Sequence, residues 1–397
     1  MTSPDTSAVW SERAVSRAKA EAEAVIGVPF DGLDGYLEDW KVLLDCYAAS
    51  PAVSLLGRRG MLMELRRRLT NRLRVARALA THPEIAAEPI EAPIIVTGLP
   101  RTGTTFTHNL LASPRSVRAP RLWEMFHTVP GDLPEDERAA AVQAAQAVID
   151  GVAARVPNLL DIHEIAAEAP EECIALLSFH SLQWIMAGPV EPMHQWFARR
   201  DPRDDYRYLR QALQVLQHGR PRRRWVLKSP CHLWTLKALT DVFPDATIVW
   251  THRDPVAVVG SYSSLTQVGW EIFQRRFDPA DLGRFVLRRM VEAVEFGHRD
   301  RAGLTEAQII DVDYHSLTAP ASDRARTLFD QLGLPWDEAA ARHRADLDGR
   351  HGARRPHDYG LDRYGLTASQ VATGFGAYAE AFAAIDPYRE PTKETRT

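Results

Sequence analysis

The sequence predicts an α/β fold in which a central, mainly parallel sheet is covered by helices on both faces. Four short apolar runs rich in β-branched residues have the length and composition of buried strands, and they lie at 93–100, 224–228, 246–251 and 307–312. Helical stretches separate these runs, as expected for strands joined by helical crossovers. The first run ends in a glycine-containing turn that leads into a threonine-rich helix, which is a favourable context for binding an anion.

Before the first strand, the chain from Ala8 to His82 has apolar residues at three- and four-residue spacings, which predicts three helices. A proline-punctuated linker, 83–93, follows. We therefore expect a helical N-terminal extension over 1–88, a core over 89–340 that contains a helical insertion at 133–219, and a C-terminal segment over 341–397 packed on the core.

The composition excludes several classes of protein. The 397 residues carry 48 basic and 52 acidic side chains, a net charge of −4, so the chain has no global basic excess of the kind used to bind nucleic acids. It has neither an apolar run long enough to span a bilayer nor the pattern of a signal peptide. Three widely spaced cysteines fit neither a disulfide framework nor a zinc site, so we expect a cytoplasmic protein.

The strongest local signal is the segment Val96–Phe106, VTGLPRTGTTF. Gly98 and Gly103 have the spacing of the glycines in a P-loop, where backbone N–H groups and a helix N-terminus surround a phosphate. The segment predicts a P-loop NTPase-like, three-layer fold. However, Thr104 replaces the lysine of nucleoside triphosphatases, so a reaction on Mg-ATP fits poorly and Arg101 is the nearest cation. A tight structural turn is the alternative interpretation.

Two further segments place cations after predicted strands. Lys228 ends the run RWVLK, and it is one of only five lysines in the chain. Arg253 follows the run ATIVWTH, and Ser261 lies about two turns into the next helix. Because ligands bind at the carboxyl ends of parallel strands, we expect these residues to face the glycine turn. An arginine with a serine hydroxyl suits a terminal phosphate. Each residue taken alone also fits a structural or surface role.

The three segments together resemble sulfotransferases that use 3′-phosphoadenosine 5′-phosphosulfate (PAPS), most closely a bacterial branch similar to the tyrosylprotein and carbohydrate sulfotransferases. The resemblance rests on GLPRTGTT, on RWVLKSPCHL and on FPDATIVWTHRDPVAVVGS, in that order and with the spacing from Arg253 to Ser261 intact. It extends from about Pro93 to Leu317.

The resemblance implies roles for individual residues. The 5′-phosphosulfate would be held by the loop residues Arg101, Thr102, Gly103, Thr104 and Thr105. Arg253 and Ser261 would hold the 3′-phosphate, Lys228 would bind near the bridging oxygen, and Tyr314 would lie near the nucleotide. The C-terminal Arg-Lys-Gly loop of the cytosolic enzymes is not clearly present, and the arginines proposed in its place are Arg350, Arg354 and Arg355.

Two residues are candidates for the catalytic base. The histidine of the cytosolic motif is replaced by Pro230, and His232 follows two residues later. The tyrosylprotein branch uses a glutamate just beyond the helix after the phosphate loop, and Glu124 occupies that position. We expect Glu124 to be the base, with His232 as the second candidate.

The sequence thus predicts a sulfotransferase that moves a sulfuryl group from PAPS to a hydroxyl group on a small molecule or lipid. No metal-ligand set is visible, so we expect no metal. The alternatives are a diverged kinase that uses Mg-ATP and a non-catalytic nucleotide-binding protein. Apolar residues in the insertion, including Trp184, Trp196 and Phe197, could line an acceptor pocket or belong to the core. Neither the acceptor nor the oligomeric state follows from the sequence.

Overall fold

A computed structural model describes residues 4–155, 165–177, 188–319, 323–352 and 360–380. The chain divides into two compact units. The first unit comprises 1–90, 120–222 and 265–278, and the second comprises 91–119, 223–264 and 279–397. The division into an extension, a core and a C-terminal segment stays a prediction.

The first unit is helical. Its first three helices are α1 (Pro4–Ile26), α2 (Asp34–Ala49) and α3 (Leu55–Thr81), in agreement with the periodicity of the sequence. Trp40, Leu44 and Leu69 are fully buried in the core that these helices form. The hydroxyl of Ser54 accepts a hydrogen bond from the N–H of Gly57 and so caps the start of α3.

In the part of the chain that the structure describes, further helices of the first unit come from the insertion and its flanks. They are α5 (Leu122–Phe126), α6 (Glu135–Ala153), α7 (Glu191–Arg199) and α8 (Arg203–Gln217), with 3₁₀ turns at Pro83–Ala87 and Cys173–Ala175. Trp196 and Phe197 on α7 pack against the helical core of this unit, which supports the structural interpretation of these two aromatic residues. Trp184 lies outside the described residues.

The second unit contains a five-stranded sheet in which every pairing is parallel. The strands are β1 (Ile94–Gly98), β2 (Val117–Arg118), β3 (Arg224–Lys228), β4 (Thr247–His252) and β5 (Ile309–Asp313), and their spatial order is β2-β3-β1-β4-β5. The four predicted strands are confirmed to within two residues. The two-residue strand β2 is too short to leave a periodic signal.

Helices follow the strands of this unit. They are α4 (Thr104–Leu111), α9 (Leu236–Val242), α10 (Pro255–Phe273), α11 (Pro279–Arg301), α12 (Tyr314–Thr318), α13 (Arg324–Gln331), α14 (Glu338–Gly352) and α15 (Ala368–Phe375), and 3₁₀ turns lie at Pro230–Thr235, Glu306–Gln308 and Leu361–Tyr364. From Leu265 onward, α10 belongs to the first unit.

Both faces of the sheet are covered, as the sequence predicts. On one face, the buried side chains of Ile94, Val96 and Val226 form a core with α4, α13 and α14. On the other face, Trp250 is fully buried and its ring lies 5.1 Å from that of His298 on α11. Alternate residues of one strand therefore pack against different helices, which explains why the strands are almost continuously apolar.

A polar network that the sequence analysis missed fixes the carboxyl end of β4. His252 Nε2 lies 2.8 Å from Asp311 Oδ1, and His252 Nδ1 lies 3.0 Å from the Tyr378 hydroxyl. Arg301 donates two hydrogen bonds to Asp311, of 2.7 and 2.6 Å. Burial alone would raise the pKa of the Asp311 carboxyl, but the hydrogen bonds from Arg301 and His252 outweigh it and hold that pKa well below its usual range.

Within the described residues, the helices are too short or too polar to cross a lipid bilayer. This agrees with the absence of a long apolar run in the sequence.

We predict that Asp311→Ala lowers the free energy of unfolding by about 2–3 kcal/mol, because it removes hydrogen bonds between charged groups. The native pKa of Asp311 is depressed, so its contribution is present above the unfolded pKa of about 3.9 and is lost as the pH falls through the native value. Urea unfolding of the wild type and the variant measures both effects, because the difference between them should be full at pH 7 and smaller at pH 3, below the unfolded pKa, where part of the contribution is already lost.

Asp281→Ala is the matched control, because Asp281 also pairs with an arginine but both side chains are more than half exposed. Its loss should change the unfolding free energy by less than about 1 kcal/mol. Equal losses for the two variants would contradict the structural role of Asp311.

Candidate active site

The carboxyl edge of the sheet brings the three sequence motifs together within the second unit. Gly98 ends β1, Lys228 ends β3 and Arg253 follows β4. The register places Val96 opposite Lys228 and Gly98 opposite Thr251. Tyr314, the first residue of α12, follows β5 at the same edge. This arrangement is the one expected for a ligand site in a parallel sheet.

Two glycines allow the loop between β1 and α4 to pass very close to its neighbours. Gly98 has a φ of 147°, and a Cβ atom there would lie 2.4 Å from the carbonyl oxygen of Thr251. Gly103 has a φ of 87°, and a Cβ atom there would lie 2.5 Å from the ring of Tyr314. Arg101 itself takes a left-handed φ of 73°, which is unusual for a residue with a side chain. The tight turn therefore depends on glycine at both ends.

A chain of hydrogen bonds from threonine hydroxyl groups stabilises the loop. The Thr102 hydroxyl donates to the Leu99 carbonyl at 2.7 Å and lies 2.6 Å from the Thr251 hydroxyl. Thr251 Oγ1 in turn donates to the Thr97 carbonyl at 3.2 Å. Because Thr102 is fully buried in this chain of hydrogen bonds, its side chain shapes the loop, and only its backbone remains a candidate to contact a ligand.

Arg101, Ser261 and Arg253 form one connected cluster. Arg101 Nε donates to Ser261 Oγ at 3.0 Å, and Arg253 Nη1 donates to the Arg101 carbonyl at 3.1 Å. The Arg253 guanidinium carbon lies 4.5 Å from the centre of the Tyr314 ring, within the range of a cation–π contact. Arg253 Nε is buried and makes no hydrogen bond with the described residues. The cluster combines two cations, a hydroxyl and an aromatic ring.

Lys228 ends β3, and its side chain reaches the start of α4. Its Nζ donates to Thr105 Oγ1 at 3.4 Å, and the side chain is only 1% exposed. Thr104, in the position of the P-loop lysine, is also buried. A buried ammonium group is costly unless an anion or other partners stabilise it, which makes Lys228 a stronger functional candidate than an exposed lysine would be.

The two candidate bases lie in different units. His232, in the second unit, is fully buried in the 3₁₀ turn after β3, and burial lowers its pKa to about 3. Glu124, in the first unit, is 6% exposed, and its Oε2 accepts the N–H of Arg121 at 3.0 Å at the start of α5. The role of either residue as a base stays a prediction.

The Glu124 carboxylate belongs to a helix that is tied firmly to its own unit. The Glu124 carbonyl accepts the Thr128 hydroxyl at 3.0 Å, and the Thr128 N–H donates to Asn71 Oδ1 at 2.9 Å. Asn71 Nδ2 also donates to the Met125 carbonyl at 3.0 Å. These bonds anchor the backbone of α5 to α3, and the Arg121 N–H holds one oxygen of the carboxylate.

Sequence reasoning missed the residues behind the site. Thr251 and His252 lie inside the third motif and Asp311 lies in the fourth predicted strand, but the sequence analysis gave them no role, although their positions near the ends of two predicted strands were a usable signal. Of the arginines proposed for the C-terminal side, Arg354 and Arg355 lie outside the described residues, and the side chain of Arg350 is not described either.

Comparisons with known proteins agree on one family. A family model described as "Sulfotransferase family" matches residues 93–338, which contain all three motifs. No curated protein sequence matches the chain. The structure is similar to that of sulfotransferase STF1 from Mycobacterium tuberculosis H37Rv, with a TM-score of 0.79 and 30% identity over 91% of this chain and 98% of that one. Sulfotransferase STF9 from Mycobacterium avium also has a TM-score of 0.79, with 27% identity over 92% of this chain and 96% of that one.

Proposed function

Because the chain belongs to the sulfotransferase family and is therefore an enzyme with a P-loop-type α/β core, we propose that its sulfuryl donor is PAPS and its acceptor is a hydroxyl group. The acceptor molecule is a small molecule or a lipid. When bound, PAPS supplies the activated sulfuryl group.

One observation carries the proposal, the cluster of Arg101, Ser261 and Arg253 beside the glycine loop. The two arginines come from separate motifs, and Arg101 donates to the Ser261 hydroxyl while Arg253 donates to the Arg101 carbonyl. Such a cluster suits an anion with two phosphate-containing groups. Arg253 Nε is a buried donor to which the described residues offer no acceptor, so an additional anionic oxygen fits there. Arg253 and Ser261 hold the 3′-phosphate in this proposal, and Tyr314 contacts the nucleotide.

The loop and Lys228 hold the other end of the donor. The backbone of residues 101–105 and the N-terminus of α4 favour a negatively charged group. Lys228, held at Thr105, adds a full positive charge in a buried setting where electrostatic interactions are strong. These groups stabilise the negative charge that develops on the leaving phosphate, as preorganised donors do in phosphoryl transfer.

Glu124 is the proposed base, and it accepts the proton of the acceptor hydroxyl while the new O–S bond forms and the bond from sulfur to the bridging oxygen breaks, which releases 3′,5′-ADP. His232 is less suited to this role. It is fully buried, and burial lowers the pKa of its imidazole to about 3, so it has no advantage over a carboxylate as a proton acceptor. Glu124 keeps a carboxylate that is anchored by the start of α5.

The competing functions are less well supported. A kinase reaction on Mg-ATP needs a lysine where Thr104 stands and an acidic residue at the end of β4, where His252 and Arg253 stand. Asp311, the acidic residue nearby on β5, is engaged by Arg301 and His252. A non-catalytic nucleotide-binding role is disfavoured because the chain belongs to a family of enzymes. We also propose a reducing, cytoplasmic setting, because the three cysteines are free and buried.

We predict that Arg253→Ala and Ser261→Ala weaken binding of 3′,5′-ADP about ten- to a hundred-fold, because each removes a charge-assisted contact to the 3′-phosphate. Binding of 5′-AMP, which has no 3′-phosphate, should change much less. Isothermal titration of both nucleotides measures the difference. Arg288→Ala, which removes an exposed arginine on α11, is the control and should change neither affinity.

Both residues also contact Arg101, so a general disturbance of the loop is the alternative outcome. Such a disturbance would weaken binding of 3′,5′-ADP and of 5′-AMP equally. That result would remove Arg253 and Ser261 from the 3′-phosphate site.

We also predict that turnover with PAPS is unchanged by EDTA, because Thr104 replaces the P-loop lysine and the proposed charge stabilisation comes from Lys228 and Arg101. A radiolabelled-sulfate transfer assay over a panel of phenols, sterols and alkyl alcohols identifies an acceptor and then measures this directly. Phosphate transfer from Mg-ATP that disappears with chelator and returns with Mg²⁺, without sulfate transfer from PAPS, would instead favour the kinase.

Glu124→Gln should lower kcat by about 10²–10⁴-fold while leaving binding of 3′,5′-ADP nearly unchanged. Glutamine keeps a carbonyl oxygen that can accept the Arg121 N–H, so the start of α5 is preserved while the proton acceptor is lost. His232→Asn should cost much less. The measurement is kcat for both variants, with melting temperatures to exclude unfolding.

The decrease of kcat at acid pH does not distinguish Glu124 from His232 as the base. Burial gives His232 a pKa of about 3, which is near the range of a carboxyl group. The Glu124→Gln and His232→Asn variants do distinguish the two candidates. Glu135→Gln, an exposed carboxylate of the same unit, is the control for the removal of a negative charge. A nearly active Glu124→Gln beside an inactive His232→Asn would reverse the assignment.

A further inference from the structure

Three metal-ligating side chains that are far apart in the sequence come together on the surface of the first unit. His82 and Glu84 lie at the 3₁₀ turn after α3, and His218 caps the end of α8. His82 Nδ1 lies 3.4 Å from Glu84 Oε1, and His218 Nε2 lies 3.8 Å from the same oxygen. One ligand atom from each residue lies within 4.8 Å of the other two.

These spacings suit a transition metal. Zinc bonds of about 2.0–2.1 Å in tetrahedral geometry place neighbouring ligand atoms about 3.3 Å apart. The two measured distances therefore need only small side-chain rotations to reach that value. Two histidines and one glutamate form a common zinc ligand set that leaves the fourth position to water.

An independent feature supports metal binding, namely the residue behind His218. His218 Nδ1 lies 2.6 Å from Glu88 Oε1, which leaves Nε2 as the nitrogen directed at Glu84. Metal-binding histidines usually donate their other N–H to a carboxylate in this way, which fixes the tautomer and raises the basicity of the ligand. The second oxygen of Glu88 accepts Gln217 Nε2 at 3.0 Å, so the carboxylate is itself held in place.

The backbone that carries the ligands is also fixed. Gln214 on α8 donates to the carbonyls of Ala86 and Glu88 at 3.1 and 2.8 Å, and Gln217 donates to the carbonyl of Pro89 at 3.1 Å. The turn after α3 is therefore attached to α8 before any ion binds. A preorganised ligand set loses little entropy on binding a metal.

We propose that His82, Glu84 and His218 bind one divalent transition-metal ion, with Zn²⁺ as the preferred ion, and that Glu88 orients His218. The site lies in the first unit, whereas Arg101, Lys228 and Arg253 lie in the second. The ion adds a further link between the turn after α3 and the end of α8, which are already hydrogen-bonded to each other, and so stabilises the folded first unit. It takes no part in the sulfuryl transfer.

Competition titration of the chelator-treated, full-length protein with Zn²⁺ and a chromophoric zinc chelator tests the site. We expect one Zn²⁺ per chain with micromolar or tighter affinity. His82→Ala and His218→Ala should each weaken it by more than about 100-fold, and Glu88→Gln by about 10–100-fold, the usual effect of losing an orienting partner. His315→Ala, which removes an exposed histidine of the second unit, is the control and should leave the affinity unchanged.

Two further measurements do not depend on enzyme activity. Zn²⁺ should raise the melting temperature of the wild type but not of His82→Ala, whose side chain is 45% exposed and can be removed without opening the core. Co²⁺ bound at this site should give the intense visible absorption of a tetrahedral complex. The proposal would be overturned if one Zn²⁺ per chain still bound to both His82→Ala and His218→Ala. It would also be overturned if Zn²⁺ bound the wild type only weakly and without a defined stoichiometry, as it binds isolated surface histidines.

Discussion

The pairing of β1 with its two neighbours is the constraint on which the candidate site depends. β1 is central in the sheet, and its register with β3 and β4 sets Val96 opposite Lys228 and Gly98 opposite Thr251. A shift of one residue would turn every side chain of a strand to the other face of the sheet. The buried apolar residues on both faces resist such a shift, so the core of the second unit also positions its polar edge.

The close contacts at the carboxyl edge of the sheet explain why the loop between β1 and α4 needs glycine at two positions. The backbone after β1 passes so close to Thr251 and Tyr314 that side chains are excluded at Gly98 and Gly103. The Thr102 hydroxyl adds hydrogen bonds to the Leu99 carbonyl and the Thr251 hydroxyl that stabilise this turn. Resemblance to a family identifies these residues, whereas the geometry separates those that shape the loop from those that can contact a ligand.

Much of the fold and part of the site could be predicted from the sequence. Buried parallel strands are short apolar runs, and helices have their own period, so both are readable locally. Arg101, Lys228 and Arg253 could be expected at one edge because each follows a strand. The partners of His252 could not be predicted, because they come from β5 and from Tyr378 far along the chain. For the same reason, His82 and His218 showed no metal-like spacing until the fold placed them together.

The bonds among Arg101, Arg253 and Ser261 make the contributions of these residues interdependent. Arg253 donates to the backbone of Arg101, and the side chain of Arg101 donates to Ser261. A ligand group that orders one member also restricts the others, so free energies from single substitutions will not add. Through these bonds, a group bound at the glycine loop beside Arg101 also affects how tightly Arg253 and Ser261 bind the other end of the same nucleotide. A donor and its desulfated product can therefore differ in affinity even where the contacts to their shared atoms are identical.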